Sequence, residues 1–255
     1  MIQIKTDKEI EVMKVGGQKL SRILDILLER SIPGASLLEL DRLAEIFLLE
    51  TGGAPAFKGY HGFPGSICAS VNDGLVHGVP SRYMLKTGDL LSIDIGLCYG
   101  GFYSDMARTV IINASKLKQD DYERKNKFLD AGKKALITAI AEVRKGNFVG
   151  DISAAMQSEI EQVGFSVSRT FTGHGIGCNL HEDPSIPCFG KIGDGEKLKE
   201  NMVLAIEVIY AAGKADGIIS SKDNWTVVTK DNSWGGLFED TIVVTSKDPL
   251  VLTKS

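Results

Sequence analysis

The order of predicted elements occurs twice along the chain, and this repeat constrains the fold more than any other feature of the sequence. In the first half, apolar residues at helical spacing predict an amphipathic helix within the first thirty residues and a second helix over about 37–50. In the second half, helices are predicted over about 121–144 and 151–163. Strands are predicted after each helix pair: a turn-rich stretch at 66–79, a hairpin over 88–112 that turns at Gly100 and Gly101, and strands near 202–210, 224–230 and 237–245.

Glycine positions support a degenerate duplication of this helix-helix-sheet unit. The spacing between Gly34 and Gly52 equals that between Gly146 and Gly164, and both pairs are related by the same offset along the chain. Because helix pairs that end in glycine are common, chance recurrence is the alternative. If the duplication is real, the sequence predicts one domain over 1–255 with pseudo-symmetric halves of about 1–115 and 116–255, and a site between them.

Composition excludes several classes of protein. The 255 residues are 43% hydrophobic and 24% charged, which is typical of a globular chain, and the formal net charge of −4 provides no general attraction for nucleic acid. The apolar runs are too short for a membrane helix and the start lacks the apolar region of a signal peptide, so no membrane association is expected. The four cysteines form no CxxC pair. We therefore expect free thiols and a cytoplasmic protein.

Four carboxylates stand in or beside strands that are otherwise strongly apolar: Asp94, Asp105, Glu207 and Glu239. A buried anion costs several kcal/mol unless it is protonated, paired with a cation or bound to a metal. Lysine or arginine partners would be the simplest solution for any one of them. However, Arg108 is the only basic residue between 90 and 112, and none occurs from 201 to 213. One arginine cannot neutralise four carboxylates.

All four histidines occur in segments that contain glycine or proline: His61, His77, His174 and His181. Taken singly, each is more often a structural or surface residue than a ligand. In the string TGHGIG, the glycines around His174 would let a ligand or a backbone segment approach the imidazole closely. One histidine with four carboxylates is a hard, oxygen-rich set whose negative charge two divalent ions would balance. The residues therefore favour a two-metal hydrolase, without defining its substrate.

The motifs that contain these residues resemble those of a known family. Asp94, Asp105, His174, Glu207 and Glu239, in the strings SIDIG, GFYSDMARTV, FTGHGIG, AIEV and FEDTIVV, resemble the ligands of the pita-bread metallopeptidases, with type I methionine aminopeptidases the closest group. The likeness covers essentially the whole chain. It implies an α/β (α+β) fold in which two pseudo-symmetric halves surround a central curved antiparallel sheet.

The resemblance also implies a role for each site residue. Asp94 would chelate one ion, His174 and Glu207 would ligate the other, and Asp105 and Glu239 would bridge the two. The ions would be cobalt, manganese or iron. Glu207 would also shuttle a proton during catalysis. The substrate would be held by six residues, of which the two histidines would also act in catalysis: Tyr60, Phe63, Cys68, His77, His181 and Trp225.

The family's role is removal of the initiator methionine from nascent chains whose second residue is small. It implies nascent N-termini as substrates, the ribosome as a further partner and a monomeric enzyme, and it implies that Met1 is retained because Ile2 is bulky. Phe57, Phe63, Leu180 and Asp240 depart from residues common in the family, so the shape of the pocket stays open. The alternatives are a proline-specific peptidase of the prolidase or aminopeptidase P type, and a non-catalytic protein that binds peptides or ribosomes.

Overall fold

The structure is a computed structural model that describes residues 2–254, so Met1 and Ser255 lie outside the described residues. Four α-helices are present within this range: α1 (Asp7–Arg30), α2 (Leu37–Glu50), α3 (Gln119–Ala141) and α4 (Val149–Glu161). The strands are β1 (Ala54–Pro55), β2 (Ile67–Val71), β3 (Gly74–Val76), β4 (Leu90–Tyr99), β5 (Phe102–Ile111), β6 (Ser166–Val167), β7 (Thr172–Gly175), β8 (Glu182–Pro187), β9 (Val203–Ala211), β10 (Gly217–Ile219), β11 (Val227–Thr229), β12 (Gly235–Val243) and β13 (Leu250–Val251). None of these helices combines the length and the apolar character needed to cross a bilayer.

Both helices of the first half begin at capping boxes, which fix their N-termini. The Thr6 hydroxyl accepts the Glu9 backbone N–H at 3.4 Å, and the Glu9 carboxylate accepts the Thr6 backbone N–H at 2.6 Å. Ser36 and Glu39 make the same exchange at the start of α2. The four predicted helices are confirmed. However, α3 ends at Ala141 rather than near 144, because the next residues turn tightly and Val143 donates its N–H to the Ile140 carbonyl.

The main sheet joins strands from both halves. Its strand order is β1-β4-β5-β12-β9-β7-β8, with β2 on β4, β6 on β9 and β13 on β12, and all of these pairs are antiparallel. The first-half hairpin β4-β5 therefore meets the second-half pair β9-β12 along the β5-β12 boundary. This confirms the predicted mixed α/β fold with a central antiparallel sheet, while the division into halves of one domain stays a prediction.

The predicted strand over 224–230 is only partly correct. Residues 227–229 form β11, which belongs to a separate three-stranded sheet with the order β10-β11-β3. The segment before β11 forms a turn because the Asp223 carboxylate accepts the backbone N–H groups of Trp225 and Thr226 at 2.9 and 2.8 Å. This turn removes Trp225 from the sheet and, as described below, places its ring at a cavity.

Helices cover one face of the main sheet, and the acidic residues lie on the other. In β4, Leu91, Ile93 and Ile95 are buried in a cluster that also contains Leu20 and Leu24 of α1. Side chains alternate along a strand, so a residue between two of these points away from the helices. In β9, residues 204, 206, 208 and 210 likewise pack in the core beneath α3 and α4. Asp94 and Glu207 consequently share the opposite face.

Candidate metal centre and active site

One row of residues crosses the sheet directly through the predicted site. Cys68 of β2 lies opposite Asp94 of β4, and Asp94 lies opposite Ala107 of β5. Ala107 in turn lies opposite Glu239 of β12, which lies opposite Glu207 of β9. Directly opposed residues of an antiparallel pair have Cβ atoms about 4.5–5.5 Å apart. The register therefore brings three of the predicted ligands into one row, with a small alanine between two of them.

The remaining two predicted ligands occupy the next row on the same face. Asp105 lies two residues from Ala107 in β5, and its backbone N–H donates to the Thr241 hydroxyl at 2.9 Å. Thr241 lies opposite Ala205 of β9, and Ala205 lies opposite His174 of β7. Because residues two apart in a strand share a face, all five predicted ligands project to one side of the sheet.

The side chains of these two rows converge on one cavity. Asp105, His174 and Glu239 each offer a ligand atom, and the three atoms all lie within 4.8 Å of one another. Asp94 and Glu207 line the same cavity, whose volume is about 200 Å³. The structure thus gathers five potential donors from five different strands, while their roles as metal ligands stay a prediction.

The charges of the four carboxylates are not compensated by protein cations. No lysine or arginine within residues 2–254 forms an ion pair with any of them, and Arg108 instead contacts Asp240 at 2.8 Å. Desolvation raises the pKa of Asp94 to about 7. Desolvation, followed by repulsion from neighbouring carboxylates, raises the pKa of Asp105, Glu207 and Glu239 well above the usual range.

Three carboxylate oxygens in the described part of the chain are buried there without a hydrogen-bond partner: Asp94 Oδ1, Asp105 Oδ1 and Glu239 Oε1. Buried polar atoms are normally paired, so each such atom requires an explanation. Divalent cations supply one, because carboxylate oxygens and a neutral imidazole are suitable ligands for manganese, iron or cobalt. The donor set therefore fits a pair of divalent ions.

His174 is held in the form that a metal requires. Its Nδ1 lies 2.9 Å from the Gly175 carbonyl oxygen, which can only accept, so Nδ1 carries the proton and Nε2 presents its lone pair. Desolvation, with a smaller contribution from His181, lowers the pKa of His174 to about 4. The imidazole is therefore neutral near pH 7 and able to ligate.

All six residues predicted to hold the substrate line this cavity too. The Tyr60 hydroxyl lies 2.9 Å from His181 Nδ1, and the ring of His181 packs at 4.4 Å between centroids against that of His174. Phe63 and Trp225 meet edge to face at 5.4 Å. The cavity therefore has polar side chains beside the carboxylates and an aromatic wall that Phe63 and Trp225 form.

His77, the remaining predicted histidine, adopts a left-handed backbone conformation with φ 56°. Such a conformation is uncommon for residues other than glycine and is concentrated at functional sites. Its ring packs edge to face against Phe171 at 5.5 Å, which orients it at the cavity wall.

The glycines around His174 allow other parts of the protein to approach closely. A Cβ on Gly173 would collide with the Ala205 carbonyl, and one on Gly175 would collide with the Asp183 carbonyl. A Cβ on Gly177 would collide with the Lys5 side chain. The expectation that a ligand or a backbone segment approaches closely is thus met by backbone at Gly173 and Gly175.

Sequence reasoning missed several residues of the site. His61 and Val76 also line the cavity, as do Phe57 and Leu180, which the sequence marked only as departures from the family. It also missed the ion pair between Lys5 and Glu182, whose partners are 177 residues apart. The only local signal for Glu182 was its place directly after His181.

Comparison with known proteins identifies one family of metallopeptidases. Metallopeptidase family M24 matches residues 11–246. The methionine aminopeptidase of Clostridium perfringens is 41% identical over 99% of this chain and 99% of its own length. The crystal structure of methionine aminopeptidase from Rickettsia prowazekii superimposes with a TM-score of 0.95 at 35% identity over the full length of both chains. A prolidase from Pyrococcus horikoshii shares the fold, with a TM-score of 0.77 at 22% identity, and this chain covers 63% of it.

Proposed function

The chain belongs to metallopeptidase family M24, and we propose that it is a methionine aminopeptidase that removes N-terminal methionine when the second residue is small. The single observation that carries this proposal is the convergence of five donors without cationic partners in one cavity, in a chain that matches methionine aminopeptidases over its full length. By contrast, the prolidase shares only the fold, which makes proline-specific cleavage the less favoured function.

Two divalent ions, whose identity we propose to be cobalt, manganese or iron, would be held by the five donors. Of the three proposed ligands in the first row, Asp94 and Glu207 are the outer two and Glu239 lies between them. We assign Asp94 to one ion, His174 and Glu207 to the other, and Asp105 and Glu239 to both. Bound there, such ions would lower the pKa of a water molecule towards neutrality and polarise the substrate carbonyl.

The protein side chains would supply positioning and proton transfer. Glu207 would take a proton during attack and return it to the leaving amine. His181 would donate a hydrogen bond to the carbonyl oxygen as negative charge develops there. The Tyr60 hydroxyl at His181 Nδ1 fixes the ring orientation that this donation requires. His77 would contact the peptide backbone near the leaving group.

The methionine side chain would occupy the apolar part of the cavity. Tyr60, Phe63, Cys68 and Trp225 line it with aromatic rings and a small thiol. A flexible thioether suits such a lining because each contact between sulfur and an aromatic ring contributes about 0.3–1.5 kcal/mol.

We further propose that the enzyme is a cytoplasmic monomer that acts on nascent chains beside the ribosome. Its net charge of −4 gives no general attraction for nucleic acid, so any ribosomal contact would be local.

A peptide assay tests the proposed function. Purified protein supplied with Mn²⁺, Fe²⁺ or Co²⁺ should release methionine from a Met-Ala-Ser peptide and lose this activity with a chelator. A Gly-Pro peptide should not be cleaved. Preferential cleavage of Gly-Pro would establish the proline-specific alternative, and no cleavage of either peptide under any metal would support a non-catalytic binding protein.

A further inference from the structure

A buried ion pair outside the metal centre joins the N-terminal segment to the site. Lys5 Nζ lies 2.5 Å from Glu182 Oε2, and the two side chains are only 4% and 5% exposed. Lys5 Nζ also donates to the Gln3 carbonyl at 3.3 Å. In contrast, the other ion pairs in the described part of the chain each have at least one partner that is 30% or more exposed. Because both charges are buried, forming the pair has a large desolvation cost, and removing one partner would leave an uncompensated buried charge.

Glu182 organises the segment that presents His181. We define the His181 loop as residues 176–181, which connect β7 to β8. Glu182 directly follows it, and its Oε1 accepts the Asn179 backbone N–H at 3.0 Å while Oε2 accepts Lys5. The carboxylate therefore bonds back to the loop with one oxygen and to the N-terminal segment with the other.

Lys5 is itself fixed in place. Its backbone N–H donates to the Asn201 carbonyl at 3.0 Å, and the next residue, Thr6, caps α1. Its side chain crosses Gly177 at the start of the His181 loop, where a Cβ would collide with Lys5 Cε. The loop thus packs against the lysine, and a side chain at 177 would require the Lys5 side chain to shift.

We propose that Lys5 and Glu182 are positioning residues, which hold the His181 loop so that the imidazole faces the reacting carbonyl. This inference rests on the proposed function, because it concerns the reaction in which His181 takes part. Neither Lys5 nor Glu182 lines the cavity, so their effect must pass through the loop. A displacement of about 1 Å at a catalytic group can cost two orders of magnitude in rate, which is how a distant pair could control turnover.

The variants must separate positioning from general stability. Removing one partner leaves a buried, unpaired charge, so Lys5→Met alone is expected to unfold the protein partly. The double variant Lys5→Met/Glu182→Gln removes both charges and keeps similar side-chain volumes. Gly177→Ala, whose Cβ would displace Lys5 Cε while both charges stay in place, serves as the second variant if the double variant does not fold. Lys145→Met/Glu200→Gln is the matched control, because it removes an exposed pair of similar length, 2.8 Å.

We expect the double variant to melt near the wild-type temperature but to lose about tenfold in kcat on a Met-Ala-Ser peptide, with KM changed less than about twofold. The control should match wild type in both. The decisive comparison uses His181→Ala as background, where the same double substitution should change kcat less than about twofold. A further tenfold loss in that background, or an unchanged kcat in the native one, would overturn the inference.

Hydrogen exchange tests the loop independently of activity. Amides of residues 176–182 should exchange faster in the double variant than in wild type, and at the wild-type rate in the control. Unchanged exchange would refute the role of the pair in holding the loop, even if the wild-type enzyme is active. If wild type cleaves no methionyl peptide, the proposed function fails, whereas the exchange result still decides whether the pair holds the loop.

Discussion

Asp94→Asn should stabilise the protein in a chelator while impairing the enzyme. In the folded protein, desolvation raises the pKa of this carboxyl from 3.8 to about 7. The folded state therefore binds the proton more tightly than the unfolded chain, and its stability falls as the pH rises between these two values. Once the group is ionised, the rise corresponds to about 4 kcal/mol against the folded state. An asparagine does not ionise and avoids this cost.

The free energy of unfolding that Asp94→Asn should gain depends on pH. At about pH 8 the variant should gain about 4 kcal/mol over wild type in a chelator, and at about pH 5 only about 2 kcal/mol, because ionisation is then incomplete. For a chain of this length the unfolding entropy is about 0.5 kcal/mol per kelvin, so the gain at the higher pH raises Tm by about 7 °C. Thermal unfolding followed by calorimetry at both pH values measures it.

Asp89→Asn is the matched control for this experiment. Asp89 is also buried, but its carboxylate accepts hydrogen bonds from the Asn72 amide, the Tyr83 hydroxyl and the Lys86 backbone N–H. Replacement removes an acceptor from a satisfied network, so this variant should be less stable at both pH values. If Asp94→Asn instead lowers Tm at about pH 8 in the chelator, the carboxylate is compensated by the protein and the reasoning is wrong.

Three further predictions concern the site. Asp105→Asn and Glu239→Gln should each abolish release of methionine while leaving a folded protein by circular dichroism, because each removes a bridging ligand; a near-normal kcat in either would exclude that bridge. His181→Ala should lower kcat about a hundredfold with little change in KM, as measured by steady-state kinetics, whereas a change confined to KM would assign it to binding alone. Trp225→Ala should raise KM for a Met-Ala-Ser peptide by about tenfold, since it opens the aromatic wall beside Phe63; an unchanged KM would place the methionine side chain elsewhere.

Local patterns predicted the elements of the fold well. Helical spacing of apolar residues and terminal glycines identified all four helices, and the glycine turn identified the β4-β5 hairpin. The need for metal ions was also predictable, because carboxylates in apolar strands with one nearby arginine required another source of positive charge, while the assignment of each ligand rests on the resemblance and stays a prediction. Arg108 pairs with Asp240 and leaves the four carboxylates without a cation from the described part of the chain, in agreement with that reasoning.

Features that depend on long-range register could not be predicted. Nothing local indicates that Glu239 lies opposite Ala107, which sets the spacing between the two sides of the site. Trp225 lies in a turn rather than in the predicted strand, because the Asp223 carboxylate accepts backbone N–H groups that strand pairing would otherwise use. The Lys5 side chain, which comes from near the N-terminus, occupies the space beside Gly177.

Metal binding measured directly tests the central claim that these five side chains hold two divalent ions. Isothermal titration with Mn²⁺ under anaerobic conditions, combined with elemental analysis of the purified protein, should give about two ions per chain. Asp105→Asn, which removes a proposed bridging ligand, should reduce this to one or fewer. Binding of less than one ion per wild-type chain, or an unchanged stoichiometry in the variant, would contradict the account.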